Sequence, residues 1–150
     1  FTNVRFLGFR IIFQAMRHLL VFYSKKPKNS KTFLIHKDLK KDQNMISTKK
    51  GVYFIDFGSS ILTKNYFLTD IVELSTDHIN FKVNFDLIDS FISDLGIEDY
   101  DLDFLKSQIF LLLLRRYLHF HPLDRSNPIK MNNAREFLGN LDSLVAKFKS

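Results

Sequence analysis

Apolar and polar positions change period several times along this chain, and each change marks an element. From Val4 to Tyr23 the apolar residues Phe9, Ile12, Phe13, Met16, Leu19, Leu20 and Tyr23 recur at helical spacing, with Arg10, Gln14, Arg17 and His18 on the opposite face. That pattern predicts an amphipathic helix with a wide buried stripe. Phe33-Leu34-Ile35 is a short apolar run that can end a strand, and the polar stretch from Lys37 to Gln43 then makes a loop. Asn44–Ser47 and Val52–Ile55 can pair as a hairpin across Thr48-Lys49-Lys50-Gly51. Asp70 starts another helix, and Gly96 marks a helix end at Leu95. Phe104–Phe120 is a long helix, apolar throughout from Ile109 to Leu114, and is expected to be the central buried one. Pro122 stops it, Ser126-Asn127-Pro128 reads as a turn, and Asn133 can cap a last helix over Ala134–Phe148. The expected fold class is mainly α (α+β): a helical lobe with one small β-hairpin.

Membrane spans do not fit this pattern. A span needs about 20 apolar residues, whereas three arginines fall at or near the first helix and the uninterrupted run in the long one has six residues. No small-residue cleavage site precedes Lys26-Pro27-Lys28-Asn29-Ser30, which argues against a signal peptide.

Composition adds a core and an asymmetry. At 150 residues, with 45% hydrophobic residues and 17 Phe, the chain has material for one domain over 1–150. Zero Cys excludes disulfides, thiol catalysis and cysteine-based metal sites, and is compatible with the cytosol. The net charge of +6 is unevenly spread: residues 1–65 hold 13 Lys and Arg against 3 Asp and Glu, and residues 66–150 hold 9 against 13. A basic first half attracts phosphates, an anionic acceptor or lipid headgroups, so peripheral membrane contact stays open. Lys25, Lys26, Lys28, Lys31, Lys49 and Lys50 lack an interleaved aromatic platform or a groove-reading helix, so nucleic acid is not an expected partner.

Within that basic half lies the candidate chemistry. His36-Lys37-Asp38-Leu39-Lys40 is followed by Asn44 and then by Ile55-Asp56-Phe57-Gly58. The hairpin between them folds the chain back, so Asp38 and Asp56 are expected at one mouth. Phosphoryl transfer needs one carboxylate to orient an attacking hydroxyl, and a second carboxylate with an amide oxygen to hold magnesium between nucleotide phosphates. Asp38, Asp56 and Asn44 can supply these groups.

This set resembles the protein-kinase-like superfamily, with its His-Arg-Asp-Leu-x-x-x-x-Asn catalytic loop and Asp-Phe-Gly metal motif. The resemblance implies ATP and Mg²⁺ as cofactors, Asp38 as base or orienting carboxylate, and Lys40 as the charge that offsets the phosphoryl group in flight. It implies Asn44 and Asp56 as metal ligands, Ile46 and Ile55 along the adenine, and His36 as a structural residue. The Asn of the family lies five residues after the catalytic Asp; here position 43 is Gln and Asn44 lies six after, so Gln43 is the alternative ligand. About ten residues separate Gly58 from Asp70, with no Ala-Pro-Glu segment. That short exit resembles the aminoglycoside/choline kinase branch and the sugar kinases of lipopolysaccharide synthesis, in which Asp70 would anchor the catalytic loop. A small-molecule or glycan hydroxyl is then the expected acceptor.

The acidic residues Asp86, Asp89, Asp94, Glu98, Asp99, Asp101 and Asp103 are either a cationic acceptor site or a solvated face. Arg115, Arg116, His119 and His121 suit the negative end of a helix dipole rather than a metal. No nucleotide-covering lobe with a Gly-rich loop and a strand lysine precedes the first helix. The chain therefore reads as the C-terminal lobe of a longer protein, or as a degenerate remnant of one, and alone it is expected to be inactive or nearly so. The alternatives are a non-catalytic pseudokinase or interaction module, and a compact atypical protein kinase.

Overall fold

A computed structural model describes residues 8–28, 31–39, 44–77, 82–96, 100–120 and 128–148. Five helices lie among them: α1 (Phe9–Lys25), α2 (Thr69–Ser75), α3 (Phe85–Asp94), α4 (Leu102–Phe120) and α5 (Pro128–Ala146). Six short strands pair antiparallel in twos: β1 (Phe33–Ile35) with β4 (Ile61–Thr63), β2 (Met45–Thr48) with β3 (Gly51–Phe54), and β5 (Thr76–Asp77) with β6 (Lys82–Val83). The chain is thus mainly helical with small antiparallel sheets, as its class predicts. Three such pairs lie among the described residues where one hairpin is expected.

Local chemistry explains most boundaries. Lys26, the residue before Pro27, leaves α1 at φ −59° and ψ 135°, because the proline ring disfavours helical backbone at the position ahead of it. Asn84 caps α3 by accepting the Leu87 N–H at 3.2 Å. Gly96 ends that helix at φ +56°, where a side chain would be strained. Asp101 caps α4, its Oδ1 accepting the N–H groups of Asp103 at 2.7 Å and Phe104 at 3.2 Å. At the start of α5 the expected Asn133 cap is corrected, since the helix begins at Pro128, and Ser126 and Asn127 of the expected turn lie outside the described residues. Proline lacks an N–H and has a fixed φ, and the first helical turn is the one part of a helix that suits both.

Helix α4 is the axis of the core. Phe104, Leu105, Ile109, Phe110, Leu112 and Leu113 are all buried, together with Gln108, whose Nε2 donates to the Asn65 carbonyl at 2.6 Å. Helices α1, α2 and α5 pack on it. Phe22 of α1 stacks on Phe104 with ring centroids 5.0 Å apart. Burying one such side chain contributes about 1.5–3 kcal/mol.

The buried face of α1 is a correction. Ile11, Gln14, His18 and Phe22 point inward, whereas Phe9, Phe13, Met16 and Leu20 of the expected stripe are 85%, 66%, 57% and 72% exposed. Two polar residues win this choice because each finds a hydrogen-bond partner on another helix. Gln14 Nε2 donates to Asp142 Oδ2 at 3.0 Å. His18 lies 2.9 Å from Asp142 Oδ1 and 3.0 Å from Ser107 Oγ, and stacks on Phe110. An ionised carboxylate only accepts, so Nε2 of the neutral ring carries the proton and Nδ1 accepts from the serine hydroxyl. Of the expected helix from Val4, the part before residue 8 lies outside the described residues.

Candidate active site

Asp70 is the second residue of α2, and its carboxylate is spent on the backbone just ahead of Asp38. Oδ2 accepts the His36 N–H at 2.6 Å and Oδ1 accepts the Lys37 N–H at 2.9 Å. Hydrogen bonds to an ionised acceptor are stronger than neutral ones. Here they hold Lys37 at φ +69°, in the left-handed region where a side chain crowds its own carbonyl. Asp70 therefore fixes the turn that presents Asp38.

His36 joins the two halves of the motif. Its side chain is buried, with 4% of the residue exposed, and Nε2 lies 2.7 Å from the Ile55 carbonyl. A carbonyl can only accept, so Nε2 carries the hydrogen. The Phe57 ring packs 4.8 Å away. One imidazole thus ties the strand end two residues before Asp38 to the residue immediately before Asp56. The structural role expected of His36 has a geometric basis.

Asn44 closes the loop on Asp38. Its Nδ2 donates to the Asp38 carbonyl at 2.6 Å and to Asp38 Oδ2 at 3.3 Å. With its donors turned to Asp38, the amide oxygen is the acceptor left for a ligand. The Ile55 N–H donates to the Asn44 carbonyl at 3.1 Å, extending the β2–β3 register in which Ile46 opposes Tyr53. Side chains alternate across strands, so Asn44, Ile46, Tyr53 and Ile55 share one face of the hairpin. The strands themselves lie one residue from their expected bounds: they turn through Lys49-Lys50 with Gly51 at φ +141°.

Asp56 follows in an unlike setting. It is exposed and left-handed, at φ 60° and ψ 62°, and opens a single 3₁₀ turn over Phe57–Ser59. Asp tolerates this conformation better than most residues. Among the described residues Lys37 and Asp56 are the two non-glycine positions with positive φ. One precedes the candidate base, and the other is the candidate metal ligand. Lys40 and Gln43 lie outside the described residues.

The sequence reading missed a neighbouring ion pair. Arg116 of α4 meets Glu73 of α2 at 2.6 Å, with both side chains largely covered. Burial pushes the Glu73 carboxyl up against the pull of Arg116, and the charges of Asp70 and Asp38 add to the rise. Glu73 lies three residues after Asp70, so the two share a face of the helix. That spacing is the one signal the sequence offered. Arg116 therefore serves Glu73.

Of the acidic stretch, Asp101 and Asp103 are engaged by Lys25 at 3.2 and 2.5 Å, and Glu98 and Asp99 lie outside the described residues. Among the described residues no group of three or more His, Asp or Glu side chains is placed to hold a metal ion. Magnesium does not require one: it is commonly held by one or two carboxylates together with substrate phosphates and water. The donors of Asp56 and Asn44 are hard oxygens of the type it prefers, so these residues fit the ion.

Neither protein-family models, nor curated proteins, nor solved structures yield a match to this chain. The functional reading therefore rests on the site. Its framework is two carboxylates and an amide on tethered backbone, beside an apolar cleft of about 320 Å³ that runs under β1 to α2 and α3. No helix among the described residues is long and apolar enough to cross a membrane.

Proposed function

We propose that this chain is the catalytic lobe of an ATP-dependent phosphotransferase that acts on a hydroxyl of a small molecule or glycan. The observation that carries the reading is the placement of backbone strain. Left-handed non-glycine residues cost roughly 1–3 kcal/mol each and gather where a function over-determines the backbone. Lys37 and Asp56 are the two such residues described: the first precedes Asp38 and the second is itself the other carboxylate the motif singles out.

Asp38 orients the acceptor hydroxyl and takes its proton, with its carboxylate steadied by the Asn44 amide. Asp56 and the Asn44 oxygen would hold Mg²⁺, which when bound neutralises charge between the nucleotide phosphates. Ile46 and Ile55, on the same hairpin face as Asn44, offer an apolar surface to the adenine. Lys40 offsets charge on the transferred group. Asp70 and His36 touch no reactant in this scheme; they position the loop and the metal arm.

A second reading, a non-catalytic interaction module, is favoured by the exposed apolar side chains of the hairpin, Ile46, Val52, Tyr53 and Phe54. Binding of Mg·ATP to the full-length protein separates the two. Saturable binding that requires Mg²⁺ and is lost in Asp56→Asn supports the phosphotransferase. Absence of nucleotide binding at millimolar ATP supports the module.

A further inference from the structure

A second cleft, of about 550 Å³, opens between α1, α4 and α5, and no residue that lines it belongs to the candidate active site. Its volume falls within the roughly 300–1,000 Å³ typical of small-molecule sites. Arg10 and Arg17 line it from α1, Lys106 from α4, and Asp103 and Asp142 are the acids on its walls. The positions 10 and 17 are two turns apart, which on a helix places both side chains on one face.

The acids of this cleft are already matched from within the protein. Asp103 pairs with Lys25 at 2.5 Å. Asp142 is held by Gln14, by the neutral His18 ring and, at 3.8 Å, by Arg17. Lys106 makes a 3.3 Å bond to the Ala146 carbonyl, and among the described residues no carboxylate pairs with it. The cleft is lined by three cationic side chains, Arg10, Arg17 and Lys106, against two carboxylates, Asp103 and Asp142, and is positive at neutral pH. Ser143 adds a hydroxyl to the wall, and Val21 and Val145 give it an apolar side.

We infer that this cleft binds an organic phosphate: a dianion met by Arg10, Arg17 and Lys106, with its carbon body against Val21 and Val145. Guanidinium groups match phosphate oxygens two at a time, and paired donors of this kind add both energy and geometric specificity. A bare inorganic ion would leave most of the 550 Å³ unused. The inference does not draw on the phosphotransferase reading, since the two sites share no residue.

The test is a titration of the full-length protein with inorganic phosphate and with glycerol 3-phosphate, sodium chloride held constant, read from the NMR signals of the His18 ring and the arginine side-chain N–H groups. Both probes are expected to shift His18 and Arg17, with glycerol 3-phosphate the tighter. Arg10→Gln and Lys106→Gln should each weaken it about tenfold. Arg10 is exposed, so its loss leaves the fold intact, and Asp56→Asn should leave this titration unchanged. Binding that survives Arg10→Gln/Lys106→Gln, shifts confined to the β2–β3 hairpin, or no shift at 20 mM of either probe would each overturn the assignment.

Discussion

The helical frame and the motif it carries are built on opposite principles. Around α4 polar side chains are buried with partners: His18 with Ser107 and Asp142, Arg116 with Glu73, and Gln108 through its Nε2 with the Asn65 carbonyl. On the β2–β3 hairpin every residue of β3 is exposed, and pairing between the two strands does most of the holding. The two candidate carboxylates divide along this line. Asp38 stands on backbone anchored to α2 by Asp70, whereas Asp56 follows the exposed hairpin and is joined to the anchored part by the His36–Ile55 and Asn44–Asp38 hydrogen bonds and by the pairing of β4 with β1. The difference teaches that a buried imidazole, His36, can link backbone anchored on a helix to a strand end carried by an exposed hairpin.

Substitutions can break this contrast at graded cost. The frame should respond most. Phe110 is fully buried and stacks 4.1 Å from His18, so Phe110→Ala should lower unfolding free energy by about 3–5 kcal/mol in urea titrations. Asp70→Ala removes two charge-assisted bonds and frees Lys37 from its left-handed turn. A loss of about 2–4 kcal/mol is expected, with faster hydrogen exchange at His36 and Lys37. His36→Phe keeps the ring volume and deletes the tie to Ile55. It should cost about 1–2 kcal/mol, and its exchange effects should fall on residues 52–57, sparing α4. Val52 is exposed on the hairpin, so Val52→Thr should change stability by under about 0.5 kcal/mol. An equal loss from Val52→Thr and Phe110→Ala would erase the distinction between the regions.

The frame also carries a pH signature. Burial lowers the His18 pKa from its ordinary 6.5 against the opposing pull of Asp142. As pH falls, the unfolded chain takes the proton first. Stability from the neutral ring is therefore complete above pH 6.5 and is lost as pH drops towards the folded-state value. The charged groups that act on the ring are Asp142 of α5 and Arg17 of α1; α4 touches it with Ser107 and Phe110 and places Asp103 and Lys106 on the same cleft. Chemical denaturation between pH 7.5 and 5.5 should show the decline, and His18→Gln should flatten it.

What could be read from the sequence follows physical range. Gly96 as a helix end, the burial of α4 and the turn at Lys49-Lys50 are local effects of a few residues, and they were legible. So was Asp70 as an anchor, but only through a resemblance, because nothing local says which amides a carboxylate will meet. The inward face of α1 was misread, since the partners of Gln14 and His18 lie 89 to 128 residues away. Periodicity weighs hydrophobicity and cannot see Asp142. Strand β4 was missed for a related reason: three residues have too little pattern to announce pairing with β1 across the whole motif. The strain at Lys37 and Asp56 has no sequence signature at all.

Phosphotransfer from ATP by the full-length protein, assayed against a panel of hydroxyl compounds with Asp38→Ala and Asp56→Ala as controls, tests the roles of the two carboxylates most directly. Turnover that depends on Mg²⁺ and falls by at least about 100-fold in each variant is expected. Turnover that survives both substitutions would contradict it.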